Sequence, residues 1–247
     1  MCTVTVFPHS TGYRLAMNRD EQRSRVAGLP PSIVQLGDTK AIHPSEPTGG
    51  TWISVNSSGI TVALINWYSI PNRAPAPAAS RGGVILAVRK VSSTEDVLAG
   101  LEKLPLAQMN PFRLIGVFPD SRNIRQWQWN QVQLTELEHS WEPQQWISSG
   151  FDEPQAQLIR SATYRAALMN HQRVGEIDWL RDLHRSHLPE RGPFATCMHR
   201  ADAATVSYTE VSVDDDSVSM NHCQGSPCCG EPNWQTPSLL TRRSVSS

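Results

Sequence analysis

No stretch of this 247-residue chain is apolar for long enough to span a bilayer, so no transmembrane helix is expected. An excess of either charge is missing too. With 22 basic and 23 acidic residues, there is no broad electrostatic footprint for nucleic acid or an anionic membrane. The first residues lack a basic patch followed by an apolar core, so no secretory signal is expected. Cys-x-x-Cys spacing is absent, and the cysteines number five, an odd count that argues against a complete disulfide set. A reducing, cytoplasmic environment is the expectation, and it suits a thiol nucleophile. Only 39% of the residues are hydrophobic, but eight tryptophans supply large surfaces for burial. The length suits one domain over residues 1–247, with the polar residues 235–247 expected as a mobile tail.

What is present starts at Cys2. Residue 2 is small, so an aminopeptidase can remove Met1 and leave a cysteine bearing both a thiol and a free α-amine. Nucleophile and general base then belong to one residue, a known route to activating a weak nucleophile. An α-amine with a pKa of about 8 is matched to proton transfer near neutrality. The plain alternative is an idle cysteine at the head of a strand. Thr3 to Phe7 alternate polar and apolar, as a half-buried strand does. Pro8 to Gly12 read as a turn and Tyr13 to Met17 as a returning strand ending at Asn18-Arg19-Asp20-Glu21. Such a hairpin carries the tetrapeptide back beside Cys2. A guanidinium there favours the thiolate and a carboxylate can orient the amine.

Met-Cys-Thr at the start and Asn18-Arg19-Asp20-Glu21 after a short hairpin resemble the NRDE family, which includes the transport and Golgi organisation proteins. Gly49-Gly50-Thr51-Trp52, Val55-Asn56 with Gly59, Asn66 at a strand end and Ser80-Arg81-Gly82 extend the resemblance, which returns around Cys197 to Val211. The resemblance implies the N-terminal-nucleophile hydrolase fold, a four-layer αββα sandwich, and likeness to choloylglycine hydrolases and penicillin V acylases. In that group a leading cysteine has arginine and aspartate nearby, which suggests Cys2, Arg19 and Asp20 as counterparts; the group spaces its arginine and aspartate by a few residues, whereas here they are adjacent. Asn66 is expected as an oxyanion donor, and Asn18, Glu21 and Arg81 as substrate-binding residues.

Along the chain, Arg23 to Glu46 read as loop with one short strand at Ser32 to Gln35. Thr51 to Val55 and Ile60 to Asn66 form a hairpin about Asn56-Ser57-Ser58-Gly59. Ser80 caps a helix running to about Lys90, where a cation at Arg81 opposes the macrodipole and so predicts a specific partner, such as a tetrapeptide carboxylate. Ser92 to Glu95 match a capping box opening a helix to Lys103. Strands are expected at Phe112–Phe118, Ile124–Asn130, Val132–Leu137 and Trp146 onward, with Trp127 and Trp129 packing in the core. Helices follow at Gln155–Gln172 and Ile177–His187, then strands at Phe194–Met198, Thr205–Val211 and Ser217–His222. The order lacks regular βαβ alternation, which favours α+β with antiparallel sheets.

His184 and His187 have a spacing compatible with metal but show no third ligand, and a solvated helix end is the preferred reading. His199 and Arg200 can reach a site from a strand end. The cluster His222-Cys223 with Cys228-Cys229 lacks paired spacing, so neither a metal nor a cofactor is expected. The resulting expectation is a hydrolase cleaving a linear, non-peptide amide of a small molecule through an acyl-thioester. The competing one is a non-catalytic carrier of an acyl-lipid or haem-like ligand on the same scaffold.

Overall fold

A computed structural model describes residues 2–169, 173–229, 233–234 and 238–243. The chain opens with a long hairpin of β1 (Cys2–His9) and β2 (Gly12–Gln22). Their pairing puts Val4, Val6, Leu15 and Met17 on one buried face and Thr3, Thr5, Ala16 and Asn18 on the other. Two further hairpins follow: β3 (Leu29–Leu36) with β4 (Thr39–Ser45), and β5 (Ile53–Asn56) with β6 (Thr61–Asn66). The Asn56 side chain accepts from the Ser58 and Ile60 amides, which shapes the second turn. Helices α1 (Gly82–Val88) and α2 (Thr94–Glu102) precede a meander of β7 (Phe112–Phe118), β8 (Asn123–Trp129) and β9 (Leu134–His139). The remainder is β10 (Gln144–Ser148), α3 (Glu153–Met169), α4 (Ile177–Arg185), β11 (Ala203–Val213), β12 (Ser217–Gln224), β13 (Asn233–Trp234) and β14 (Ser238–Thr241).

The described strands form two antiparallel sheets. One runs β10-β1-β2-β11-β12, with β13 and β14 both paired to β12; the other keeps sequence order from β3 to β9. Between them lies the main core, where Val4, Met17 and Val211 meet Ile53, Ile65 and Ile115. Outside the second sheet, Val84, Ile85 and Leu101 of α1 and α2 pack on Leu64, Leu114 and Trp127. Outside the first, Tyr164, Leu180 and Leu183 of α3 and α4 pack on Ala16 and Tyr208. The result is the αββα sandwich of antiparallel sheets that the resemblance implied. Gly12 permits the closest approach inside the first sheet: a Cβ there would lie 2.0 Å from the Val213 carbonyl oxygen. Among the described residues no helix is long and apolar enough to cross a membrane.

Several local expectations change. The Asn18–Glu21 tetrapeptide does not follow its strand; it lies within β2. β2 is flanked by β1 and β11, and groups from other elements meet the Asn18 amide nitrogen, Arg19, Asp20 and Glu21, so tertiary contacts override local polarity. The expected loop before Glu46 contains a full hairpin. β3 is an edge strand whose pairing slips between Leu29 and Ser32, across Pro30 and Pro31, and Pro44 sits near the end of β4. The α2 cap shifts by one residue: Ser93 accepts from the Asp96 amide. Phe194–Met198 is not a strand. The Cys197 amide bonds to the Ser186 carbonyl and the Met198 amide to the Thr205 hydroxyl, so this backbone is committed to loop partners. Part of the expected tail is ordered into β14, with Leu240 buried opposite Val218. Met1, the expected α3 end at Gln172, and residues 235–237 and 244–247 lie outside the described residues.

Candidate active site

Cys2 heads β1 with Arg19 opposite it on β2 and Ser148 opposite it on β10. An end that would otherwise fray is thus held on both sides. The thiol is buried, and burial pushes its pKa up; the nearby Asp20 charge adds to this, while Arg19 and a hydrogen bond from the Asp20 backbone pull the other way. The sulfur therefore rests as a thiol and needs a base to become a nucleophile.

β2 alternates around this point. Arg19 is buried, with its guanidinium 4.4 Å above the Trp52 ring. It donates to Glu46 at 2.7 Å and to Glu21 at 3.4 Å. Arg25 reaches the same two carboxylates, at 3.0 Å from Glu21 and 2.8 Å from Glu46. On the other face, Asp20 accepts from Thr205 Oγ1 at 2.6 Å and from Arg160 at 3.2 Å. Arg160 also donates to Thr3 Oγ1 at 2.8 Å, tying α3 to β1 and β2 together. Asn18 donates to the carbonyls of His184, at 2.9 Å, and Thr196, at 2.8 Å.

A cavity of about 250 Å³ opens beside Cys2, bordered by Arg19, Asp20, Glu21, Asn66 and Arg81. Six of the seven expected site residues are therefore brought together. Asn18 is not among the lining residues; its amide braces α4 and the segment before β11. Asn66 donates to the Tyr68 hydroxyl at 2.7 Å, and its amide nitrogen retains a second proton. Arg81 approaches because two glycines touch: a Cβ on Gly82 would fall 2.8 Å from the Gly50 Cα. The expected carboxylate partner of Arg81 is replaced by the Pro111 carbonyl, at 3.1 Å. Glu21 makes its ion pairs with Arg19 and Arg25 and affects Arg81 only through its field.

Other readings also change. His184 is no solvated helix end; it is fully buried, 3.0 Å from Thr5 Oγ1, and burial pushes its pKa down to about 3. The amphipathic α4 lays Leu180, Leu183 and His184 on the first sheet, which explains the error. His199 and Arg200 do not line the Cys2 cavity; Arg200 sits over Phe151, with 4.7 Å between guanidinium carbon and ring centre. His222 and Cys223 are buried β12 residues. Arg160, Glu46 and Tyr68 were not expected in the site, and Trp52 entered only as part of a motif, without a role. Only Arg160 left a usable signal, falling between Ala156 and Thr163 on the apolar stripe of α3.

The family model described as Transport and Golgi organisation 2 matches residues 1–161. The chain belongs to the Transport and Golgi organisation 2 family. Among curated proteins none matches this family member in sequence. Solved structures do match in shape. Penicillin V acylase from Agrobacterium tumefaciens aligns with a TM-score of 0.59 at 11% identity, over 95% of this chain and 84% of its own. A mutant of conjugated bile acid hydrolase from Clostridium perfringens aligns with a TM-score of 0.53 at 8% identity, over 98% and 97%. These likenesses show that this Transport and Golgi organisation 2 chain has the N-terminal-nucleophile hydrolase fold.

Proposed function

We propose that the protein is an N-terminal cysteine hydrolase that cleaves a linear, non-peptide amide of a small molecule. The observation that carries this reading is the buried Cys2, held between β2 and β10 at the wall of a cavity bordered by Arg19, Asp20, Asn66 and Arg81. Removal of residue 1 frees the Cys2 amine. The thiol proton passes to that amine as sulfur attacks the amide carbon. The oxyanion is met by the second Asn66 amide proton and a backbone amide. The C–N bond breaks, the amine delivers its proton to the leaving nitrogen, and an acyl-thioester remains. Water, deprotonated by the same amine, releases the acid. Arg19 favours the developing thiolate, and Asp20, fixed by Thr205 and Arg160, orients the amine.

The cavity is small and largely polar, which fits a compact substrate. Arg81 has no carboxylate at ion-pair distance among the described residues, so it is assigned to an anionic group of the substrate. All five cysteines are free thiols, which supports a reducing, cytoplasmic setting.

The test is an intact-mass measurement before and after an acyl-transfer probe. The expected result is loss of residue 1 and one acyl adduct at Cys2, absent in Cys2→Ala. Retention of residue 1, or equal labelling of Cys2→Ala, overturns the mechanism and favours a ligand carrier.

A further inference from the structure

We propose a structural zinc site formed by His187, Cys197, His199 and Cys228, none of which lines the Cys2 cavity, and independent of the hydrolase reading. The ligand atoms of these four residues all lie within 4.8 Å of one another. His199 Nε2 is 3.6 Å from the Cys197 sulfur and 3.2 Å from the Cys228 sulfur. The imidazole of His187 stands edge-on to that of His199, with ring centres 5.1 Å apart. Zinc bonds of about 2.0 Å to nitrogen and about 2.3 Å to sulfur set tetrahedral edges of roughly 3.3–3.8 Å. The group is therefore within small side-chain movements of a tetrahedron.

His187 Nε2 is closed off from solvent and has no hydrogen-bond partner among the described residues. A buried acceptor of this kind needs a partner, and a metal ion supplies one. Two thiolates and two imidazoles suit zinc by softness and neutralise it by charge. On binding, both thiols release their protons and the ion takes their place. Four protein ligands leave no open position, so the ion is structural and takes no substrate.

The ligands come from three separate stretches: the exit of α4, the irregular run before β11, and the loop after β12. The first two stretches are joined by the Cys197 N–H to the Ser186 carbonyl at 3.0 Å, and the third is tied to β11 by the Gly225 N–H to the Val206 carbonyl at 2.8 Å. The ion cross-links them, and its effect reaches β2. Met198, between two ligands, holds Thr205 at 2.9 Å, and Thr205 holds Asp20 at 2.6 Å. One contact must yield: Arg191 donates to His199 Nδ1 at 3.3 Å, whereas a metal on Nε2 requires a proton on Nδ1. Arg191 is exposed and can turn into solvent.

The experiment adds cobalt(II) to the reduced, metal-free full chain and records its absorption, then measures zinc content after equilibration and desalting. The expected result is one metal per chain, a thiolate-to-cobalt charge-transfer band and the intense visible bands of tetrahedral cobalt. Cys228→Ser should lose the charge-transfer intensity in part and stoichiometric zinc retention altogether, while Cys229→Ser, which alters the exposed neighbouring thiol, keeps both. Absence of these bands in the wild-type chain overturns the proposal, a result that needs no variant to fold. So does unchanged zinc retention in Cys228→Ser, or a Cys197–Cys228 disulfide whose reduction brings no metal uptake.

Discussion

The two faces of β2 use charge differently. On the cavity face, Arg19 and Glu21 share ion pairs with Glu46 and Arg25, and Arg25 is 49% exposed. On the helix face, Asp20 and Arg160 form a pair whose side chains are both 0% exposed. Water screens the Arg25 pairs, so Arg25 contributes little to stability and remains adjustable, while Arg19 is itself buried. The second set is dry, so removing one partner leaves the other a buried charge without its counter-ion. A four-residue motif thus combines a tunable electrostatic wall with a rigid brace, because side chains of a strand alternate.

The comparison breaks most sharply at the brace. Arg160→Met leaves Asp20 buried without its guanidinium and should cost about 3–5 kcal/mol in urea unfolding. A loss below about 1 kcal/mol would mean that the contacts Asp20 keeps, Thr205 among them, satisfy the carboxylate. Asn18→Ala strands the His184 and Thr196 carbonyls and should cost about 2 kcal/mol by the same measurement.

Acid tests the helix face in another way. His184 is neutral in the fold, with its pKa pushed from 6.5 to about 3 by burial and by the neighbouring Arg160 charge. Its folded pKa lies below the unfolded one, so its contribution is complete above pH 6.5. It is lost as pH falls toward about 3, where the unfolded chain alone gains the proton. Stability should decline by roughly 1 kcal/mol per pH unit through that window, and His184→Gln should flatten the slope after correction for its own baseline. The smallest effect belongs to the cavity face. Arg25→Ala should change stability by less than about 0.5 kcal/mol, yet alter the rate at which an acyl probe labels Cys2. A large stability loss there would erase the distinction between the faces.

Much of this arrangement was legible in the chain. Alternation in Thr3 to Phe7 marked β1, and the return through Tyr13 located Arg19 beside Cys2. The limits came from long-range partners. Asn18 to Glu21 read as the end of a strand rather than its interior because the groups that meet them, such as Thr205, Arg160 and Glu46, lie far along the sequence. Pro44 disguised β4, since a proline near a strand end costs only the bonds that end would have made. The His187, Cys197, His199 and Cys228 group was invisible for the same reason: its members have no motif spacing and meet only when α4, β11 and β12 converge.

β1 runs inside its sheet, with β10 along one side and β2 along the other, rather than along a rim. Backbone amides in such a position exchange with deuterium only when a large part of the sheet opens. Heating should therefore leave the labelling of residue 2 intact until the cooperative melt, with no earlier step in which the leading strand peels away.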